Sequence, residues 1–402
     1  MPQFDYTSGI STKFQRLSFR VSGDLAATPS VNLLIPTLLL DKMTGGQNTG
    51  ILFGIWLAEL GVPVRIISTD AGKDVDGDEL VAHLERLSGL KPLPAELSLW
   101  DGSDRSVVTD IGVNDLFVAT AWWTAQMAKY AIQNTVHDRF FYLIQDYETL
   151  LHQASTDYAL ALETYSLPHI PVVNTRVLLQ HYIDTKTGLF ADPDFAKSAL
   201  YFEPAVDRAL FYPVPEKPDG KRTLLFYARP GFAPRNLFEF GYAALRKLVN
   251  EQSISTDKWR FLAMGEKIDP YDLGRGVTLE PLPWQDLQVY AKTIREADVL
   301  LSLMLSPHPS YPPLEMAAAG RTTVTNAFGA KTAAFFASVS PEIVCAAATI
   351  EDIASKLQVA MQQAETRNDM PVDRLSFPST WRESLTPVYP KVMSIINRMW
   401  QR

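Results

Sequence analysis

The sequence is poor in the residues that build disulfides and zinc sites. Its 402 residues include one cysteine, Cys345, and six histidines. A single cysteine excludes an internal disulfide, and the histidines show neither an HExxH pair nor a Cys/His ladder with zinc spacing. We therefore expect no disulfide, no bound metal and no cofactor.

Long apolar runs are missing as well. No stretch approaches the roughly 18 apolar residues of a membrane span, and the start, MPQFDYTSGISTKFQRLSFR, lacks the apolar core of a signal peptide. We expect a cytoplasmic protein with a flexible N-terminal tail over residues 1–25. The formal net charge of −8 offers no dense basic face, so no nucleic-acid partner is expected.

Strand and helix patterns alternate along the rest of the chain, which is typical of doubly wound α/β domains. The first series of predicted strands covers 31–36, 64–67, 115–120, 140–144 and 170–174. The second series covers 223–227, 259–264, 298–303 and 322–325. A proline-rich segment between 204 and 218 separates the two series.

The sequence therefore predicts two Rossmann-like domains with parallel sheets, at 26–205 and 206–378. We expect them to face each other across a cleft. Residues 379–402 are predicted to form a helix that crosses back to the first domain. An acidic stretch at 70–79 resembles a calcium loop but has Gly72 in place of the first ligand, so it is interpreted as a solvated loop.

Ligands of open parallel sheets bind beyond the carboxyl ends of the strands, so the loops there are the first candidates. Gly45 and Gly46 precede a helix whose N-terminus could receive a phosphate, although such a pair is more often a packing turn. Gln145, Asp146 and Tyr147 follow the strand at 140–144 and could face an acceptor, or form a structural turn.

Arg229 and Arg235 lie in a stiff loop after the first strand of the second series. Two guanidinium groups in this position can clamp a diphosphate through charge-assisted hydrogen bonds, or can be solvated surface groups. Glu315 opens an apolar helix after a later strand. Its carboxylate could accept hydrogen bonds from ribose hydroxyls, or could favour the helix dipole.

Together these loops resemble the retaining family-4 glycosyltransferases of the GT-B fold, in particular bacterial rhamnosyltransferases of the WsaF type. The similarity covers about residues 30 to 400 and is strongest in five segments. These are the Gly45-Gly46 loop, FYLIQDYE from Phe141, YFEPAVD from Tyr201, the Arg229 loop and PLEMAAAG from Pro313.

The resemblance implies that Arg229 and Arg235 bind the donor diphosphate and that Glu315 is the second glutamate of an E-x7-E pattern, which holds the donor ribose. Pro307 stands where the first glutamate is expected, with His308 beside it. Donor contacts are also expected at Gly45, Gly46, Gly265, Trp284, Ser310 and Tyr311. Trp284 could stack on the nucleotide base or be a core residue.

The predicted activity is metal-independent transfer of a sugar with retention of configuration, with dTDP-L-rhamnose as the expected donor and a surface glycan as the product. The acceptor would be a glycan, with a lipid-linked form and peripheral contact with the inner face of the membrane among the expectations. Two alternatives stay open: a nucleotide-sugar epimerase on the same fold, and a scaffold that binds nucleotide or glycan without catalysis.

Overall fold

The computed structural model describes residues 17–22, 28–43, 45–73, 77–215, 220–231, 234–367 and 369–401. The chain divides into two compact units, the first formed by Met1–Phe202 with Leu385–Arg402 and the second by Glu203–Ser384. Both units are α/β, which confirms the expected fold class.

Among its described residues, the first unit has nine strands and six helices before the chain enters the second unit. The strands are β1 (Ser18–Ser22), β2 (Val31–Leu38), β3 (Val64–Lys73), β4 (Leu97–Asp101), β5 (Val108–Gly112), β6 (Leu116–Ala119), β7 (Phe140–Ile144), β8 (His169–Asn174) and β9 (Leu200–Phe202). The helices are α1 (Gly45–Glu59), α2 (Gly77–Ser88), α3 (Trp122–Ala131), α4 (Thr156–Thr164), α5 (Arg176–Asp184) and α6 (Pro193–Ser198).

Seven of these strands form one parallel sheet in the order β4-β3-β2-β6-β7-β8-β9. Every residue of β6 and β7 is buried, because helices cover both faces of a parallel sheet and leave no solvated face. Helix α1 is buried all around from Thr49 to Ala58, so it belongs wholly to the core of this unit.

The expectation of a flexible tail over residues 1–25 is wrong at Ser18–Ser22. These residues form β1, which pairs in parallel with β5 from Ser18 opposite Val108 to Ser22 opposite Gly112. Phe19 packs edge-on against the buried ring of Phe117 at 5.4 Å, so this strand is held by backbone pairing and by the core. The remaining positions of the expected tail, 1–16 and 23–25, lie outside the described residues.

The described part of the second unit has seven strands and six helices. The strands are β10 (Arg222–Tyr227), β11 (Trp259–Met264), β12 (Tyr271–Gly274), β13 (Val277–Pro281), β14 (Val299–Leu301), β15 (Thr322–Asn326) and β16 (Ile343–Ala346). The helices are α7 (Phe238–Asn250), α8 (Leu287–Glu296), α9 (Tyr311–Ala318), α10 (Ala333–Val339), α11 (Ile350–Thr366) and α12 (Trp381–Leu385), the last of which ends at the boundary of the unit.

The second sheet has the order β12-β13-β11-β10-β14-β15-β16, and all its pairs are parallel except β12 with β13. Its core lies on both faces and includes Phe226 and Phe238, whose rings stack at 5.6 Å. Gly241 of α7 permits this packing, because a Cβ there would lie 2.3 Å from the Phe226 ring.

The last helix, α13 (Tyr389–Trp400), belongs to the first unit, where the Tyr389 hydroxyl donates to the Phe53 carbonyl at 3.2 Å. The chain passes from one unit to the other after Phe202 and after Ser384. The boundaries predicted from the sequence were after residues 205 and 378. In the stretch at 70–79, residues 70–73 belong to β3 and residues 77–79 to α2, which differs from the expected loop, and residues 74–76 lie outside the described residues. In the part of the chain that the structure describes, no helix is long and apolar enough to span a membrane.

Candidate functional site

The second sheet reverses its winding direction between β10 and β14. The chain continues from β10 to β11 on one side and from β14 to β15 on the other, although β10 and β14 are hydrogen-bonded neighbours. Such a switch point opens a crevice between the loops that follow the two strands, and this is where α/β sheets bind ligands. The predicted Arg229 loop and the loop 302–310 before α9 are these two loops.

Two hydrogen bonds tie the loops together. The backbone N–H of Leu305 donates to the Arg235 carbonyl at 2.8 Å. The buried Asn236 side chain donates through Nδ2 to the Leu303 carbonyl at 3.0 Å. Arg235, predicted from sequence alone, is therefore fixed by its backbone to the loop that leads to Glu315.

The Arg229 side chain lies against an aromatic residue and a glycine. Its Nη1 donates to the Tyr227 hydroxyl at 3.4 Å, and its guanidinium lies 5.9 Å from the centre of that ring. Gly265, which follows β11, has φ +109°, and a Cβ there would lie 3.0 Å from Arg229 Cγ and from the Tyr227 ring. The glycine thus provides the room in which the Arg229 side chain lies, and its φ is one that L side chains rarely adopt.

Glu315 stands in the second turn of α9, so it does not open the helix as the sequence suggested. The helix begins at Tyr311, and Pro312 and Pro313 fit its first turn because N–H groups there have no partner within the helix. The Glu315 carboxylate accepts a hydrogen bond from the Tyr290 hydroxyl of α8. Burial raises the pKa of Glu315 to about 7, and the bond from Tyr290 acts in the opposite direction.

The loop before α9 is buried and tightly turned. Pro307 is buried, His308 is 5% exposed, and the N-cap Ser310 has φ +69°, which is rare for a residue with a side chain. The Ser310 N–H donates to Nδ1 of His308 at 3.1 Å. Because Nδ1 is the acceptor, the neutral ring carries its proton on Nε2.

Two functional candidates of this loop were not found by sequence reasoning. Asn326, at the end of β15, accepts from the Met304 N–H at 2.7 Å and donates to the Met304 carbonyl at 3.2 Å. Lys331, fully buried, donates through Nζ to the same carbonyl at 2.9 Å. The position of Asn326 after a strand could have identified it, whereas nothing near Lys331 in the sequence marks a buried cation.

Trp284 lies between β13 and α8 and is 91% exposed. It is not a core residue, so the second of the two interpretations left open from the sequence is wrong. The backbone of nearby Leu282 extends the pairing of β13 with β11, since its N–H donates to the Ala263 carbonyl at 2.8 Å. An exposed indole beside a strand end leaves the stacking interpretation as a prediction.

In the first unit the structure brings two predicted loops together. Gln145, directly after β7, donates through Nε2 to the Gly46 carbonyl at 2.8 Å. Gly45 and Gly46 are exposed at the start of α1, and a Cβ on Gly46 would meet the Gln145 amide at 3.8 Å. The strands β2 and β6 form the switch point of this sheet, and both loops lie at its carboxyl edge.

Tyr147 and Asp146 take part in a structural turn. The Tyr147 ring stacks on Tyr165 at 5.7 Å and meets Tyr182 edge-on at 5.4 Å. The Tyr182 hydroxyl donates to the Asp146 carbonyl at 3.0 Å, and the Asp146 carboxylate accepts the Tyr147 N–H at 2.8 Å. These contacts favour the structural alternative for Tyr147, while Gln145 and Asp146 are half-buried at the sheet edge.

Metal-binding side chains do not gather in this structure. Within the described ranges, no three His, Cys, Asp or Glu side chains are grouped so that they could hold a metal ion. The described cationic side chains beside the second switch point include Arg229, Arg235 and Lys331.

Comparison with protein families gives a match on both units. The WsaF N-terminal domain model matches residues 30–176, and the WsaF C-terminal domain model matches residues 222–358. The chain belongs to the WsaF family of glycosyltransferases. A curated relative, the O-antigen biosynthesis protein RfbC of Myxococcus xanthus, is 38% identical over 212 residues, which are 53% of this WsaF-family chain and 15% of that protein.

Solved structures similar to this WsaF-family chain have the GT-B fold. Anabaena Alr3699/HepE in complex with UDP has a TM-score of 0.60 at 11% identity and covers 92% of this chain and 100% of its own. Sucrose-phosphate synthase of Thermosynechococcus elongatus has a TM-score of 0.56 at 12% identity, with 95% and 100% covered. At this level of identity the likeness shows the fold, and the chemistry has to be argued from the site.

Proposed function

We propose that this protein transfers a sugar from a nucleoside diphosphate donor to a glycan acceptor, with the donor bound at the switch point of the second sheet. The observation that carries the proposal is the hydrogen-bonded pair of loops there, which fixes Arg235 beside the loop leading to Glu315. A solved relative of the same fold is described as a complex with UDP-glucose, which supports a nucleotide sugar as the ligand class.

In the proposed reaction the bond between the sugar C1 and the diphosphate oxygen breaks, and a bond from C1 to the acceptor oxygen forms. Arg229 and Arg235 stabilise the negative charge that grows on the departing diphosphate, as fixed donors do best in a site that excludes water. The acceptor proton passes to an oxygen of that diphosphate. Configuration at C1 is retained, as the family resemblance implies, and no metal ion takes part.

Glu315 would accept a hydrogen bond from a donor hydroxyl. Tyr290 already occupies one carboxylate oxygen, so the second oxygen is the one assigned to the donor. In a deoxythymidine donor the ribose offers its 3′-hydroxyl and has no 2′-hydroxyl. One hydrogen bond from this 3′-hydroxyl to that oxygen is compatible with a dTDP-sugar.

The remaining donor contacts are assigned by position. The Tyr311 N–H lies at the start of α9, with Ser310 as its N-cap, and a helix N-terminus favours anions. Trp284 provides an exposed ring for stacking on the base. Gly45 and Gly46 belong to the first unit, and their donor-binding role is part of the proposal.

The donor sugar is proposed to be L-rhamnose from dTDP-L-rhamnose, on the resemblance to WsaF-type enzymes. The product is proposed to be a surface polysaccharide, which the similarity to an O-antigen biosynthesis protein supports. Gln145 and Asp146 are proposed to face the glycan acceptor. A lipid-linked acceptor would place the enzyme in the cytoplasm at the inner face of the membrane.

A panel of nucleotide sugars tests the donor assignment by thermal denaturation, since a ligand that binds the native state raises its melting temperature by mass action. We expect dTDP-L-rhamnose to raise it more than UDP-glucose or GDP-mannose does. A shift with UDP-glucose and none with dTDP-L-rhamnose would remove the rhamnosyl assignment.

Incubation with donor alone tests the reaction type. We expect slow hydrolysis at most, and no isomer of the donor, because an acceptor is required. Formation of an isomeric nucleotide sugar would identify an epimerase. Tight donor binding with neither hydrolysis nor transfer to any surface-glycan acceptor would identify a binding scaffold.

A further inference from the structure

A cavity lies at the amino-terminal edge of the second sheet, opposite to the edge that carries the proposed donor site. Its volume is about 760 Å³. It is lined by residues just before or within the first two positions of four adjacent strands, by one side of α8, and by residues 214–215 and 220–221 before β10. They include Arg222, Arg260, Asp298, Arg321, Lys292 and Glu296. The six residues of β10 separate this edge from the Arg229 loop, a distance of roughly 17–20 Å. The cavity is therefore distinct from the proposed donor site.

The cavity is strongly basic. Half of its twelve lining residues are lysine or arginine and two are acidic, although the whole chain has a net charge of −8. Such a local reversal of sign attracts anions to one place on an otherwise acidic protein. The cations lie at the starts of strands, on α8 and just before β10. They are therefore brought together by the fold and not by a run of charged residues in the sequence.

Several of these cations are held in place by neutral partners. Arg321 is 3% exposed and donates to the Val214 carbonyl at 3.2 Å. Arg260 donates to the Thr223 hydroxyl at 3.1 Å, and Arg295 lies 4.1 Å from the centre of the Tyr212 ring. A carbonyl, a hydroxyl and an aromatic ring orient a guanidinium without cancelling its charge.

Two ion pairs also line the cavity, and in one of them Lys292 Nζ lies 4.0 Å from Glu296 Oε1, with both side chains exposed to solvent. Arg222 bonds to Asp298 at 3.0 Å, and the second oxygen of Asp298 accepts the Thr223 N–H at 2.7 Å. Arg222 is therefore engaged by Asp298. The cations assigned to a ligand are Lys221, Arg260, Arg295 and Lys292, whose contact with Glu296 is long and solvent-exposed. Lys221, Arg260 and Lys292 are exposed, so a ligand can reach them from solvent.

We propose that this cavity is a second binding site, for a phosphate-bearing anion. Its volume falls within the range of small-ligand sites, about 300–1,000 Å³. Planar guanidinium groups match the oxygens of a phosphate in pairs, and lysines add unspecific positive charge. The site does not depend on glycosyl transfer at the switch point, so an experiment can contradict one of the two proposals without contradicting the other.

The phosphate can come from a free phosphorylated metabolite or from a phospholipid headgroup. Both present the same anionic oxygens to the cavity. Free pyrophosphate represents the first source in solution. Vesicles of phosphatidylglycerol represent the second, with phosphatidylcholine vesicles as the uncharged comparison.

The first measurement is calorimetric titration of the full chain with pyrophosphate. It is done in a background that carries Arg229→Ala and Arg235→Ala, so that binding at the switch point is removed. We expect binding that becomes at least about tenfold weaker when Arg260→Gln and Lys292→Gln are added, since charge-assisted contacts are lost. Arg246→Gln, an exposed cation of α7 outside the cavity, is the matched control and should leave the affinity unchanged.

The second measurement is flotation with the two vesicle types. Capture by phosphatidylglycerol vesicles that the cavity substitutions reduce, with weak pyrophosphate binding, supports a headgroup as the ligand. Pyrophosphate binding without vesicle capture supports a free metabolite. Neither pyrophosphate binding nor vesicle capture, or binding of either that Arg260→Gln with Lys292→Gln leaves unchanged, would overturn the proposal.

A folding control accompanies both measurements. The substituted side chains are exposed, so the melting temperature should stay within a few degrees of the parent. If it falls further, Lys221→Gln with Lys292→Gln replaces the pair, because Lys221 precedes β10 and is exposed. Higher salt should weaken the binding, since partly exposed charges are screened.

Discussion

The carboxyl group of Glu315 should make the stability of the second unit depend on pH. Burial raises its pKa from 4.5 to about 7 in the folded protein. Below pH 4.5 both the folded and the unfolded chain hold the proton, and this contribution to stability is fully present. As the pH rises toward 7 the unfolded chain releases the proton first, so the free energy of unfolding falls, and the loss is complete above pH 7.

Glu315→Gln stays neutral at every pH and should remove this loss. With pKa values of 4.5 and about 7, the parent should lose roughly 2.5 kcal/mol relative to the variant between pH 5 and pH 8. Urea unfolding at several pH values measures this difference. Glu251→Gln is the control, because Glu251 forms an exposed pair with Lys247 that contributes about 0.5 kcal/mol at most. Parallel stability curves for parent and Glu315→Gln would refute the reasoning.

The same ionisation should govern donor binding. A donor hydroxyl donates to the carboxylate, so the donor prefers the ionised form of Glu315. With a pKa of about 7, the ionised fraction rises about tenfold between pH 6 and pH 8, and donor affinity should rise with it. A diphosphate esterified at both ends has no ionisation in this interval. An equal rise in Glu315→Gln would assign the effect to another group.

Four further results are expected. Arg229→Ala and Arg235→Ala should each weaken nucleoside diphosphate binding by about 1.5–3 kcal/mol and leave nucleoside binding nearly unchanged, as titration calorimetry would show; equal affinity of parent and variant for the diphosphate would remove the arginine from the site. Gly265→Ala should also weaken diphosphate binding, because its Cβ would displace the Arg229 side chain, and unchanged binding would contradict this. Trp284→Ala should cost about 1 kcal/mol of donor binding with no loss of thermal stability, whereas a lower melting temperature would indicate a structural role. Turnover should survive EDTA, and a loss restored by magnesium or manganese would exclude the metal-independent mechanism.

The centres of both sheets could be predicted because buried parallel strands are continuous apolar runs. The strand at 140–144 has the same bounds in the sequence analysis and in the structure. Edge strands carry no such signal, and β4 and β5, where buried or half-buried positions alternate with exposed ones, were not predicted. The strand β1 was not predicted for another reason. It pairs with residues about ninety positions away in the sequence, and local patterns do not reveal such pairing.

The strand-end rule located the candidate site but not the residues that act on it from other elements. It led to Arg229, Arg235 and Glu315, since each follows a strand of the second sheet. It could not lead to Tyr290, which reaches Glu315 from the middle of α8. The buried Lys331 ammonium donates to the Met304 carbonyl. This contact joins residues that are far apart in the sequence, so local patterns do not reveal it.

Pro307 stands where the family pattern expects a glutamate. The residues around it offer a physical reason for proline at this position. The loop is held by Asn326 and by the ammonium of Lys331, both buried and both bonded to Met304. A carboxylate at 307 would enter this buried loop and subtract from the positive charge of Arg229, Arg235 and Lys331. Proline keeps the loop rigid and, in the proposed donor site, would leave that charge for the diphosphate. Donor recognition would then depend more on the diphosphate and less on sugar hydroxyls, which suits a deoxysugar such as rhamnose.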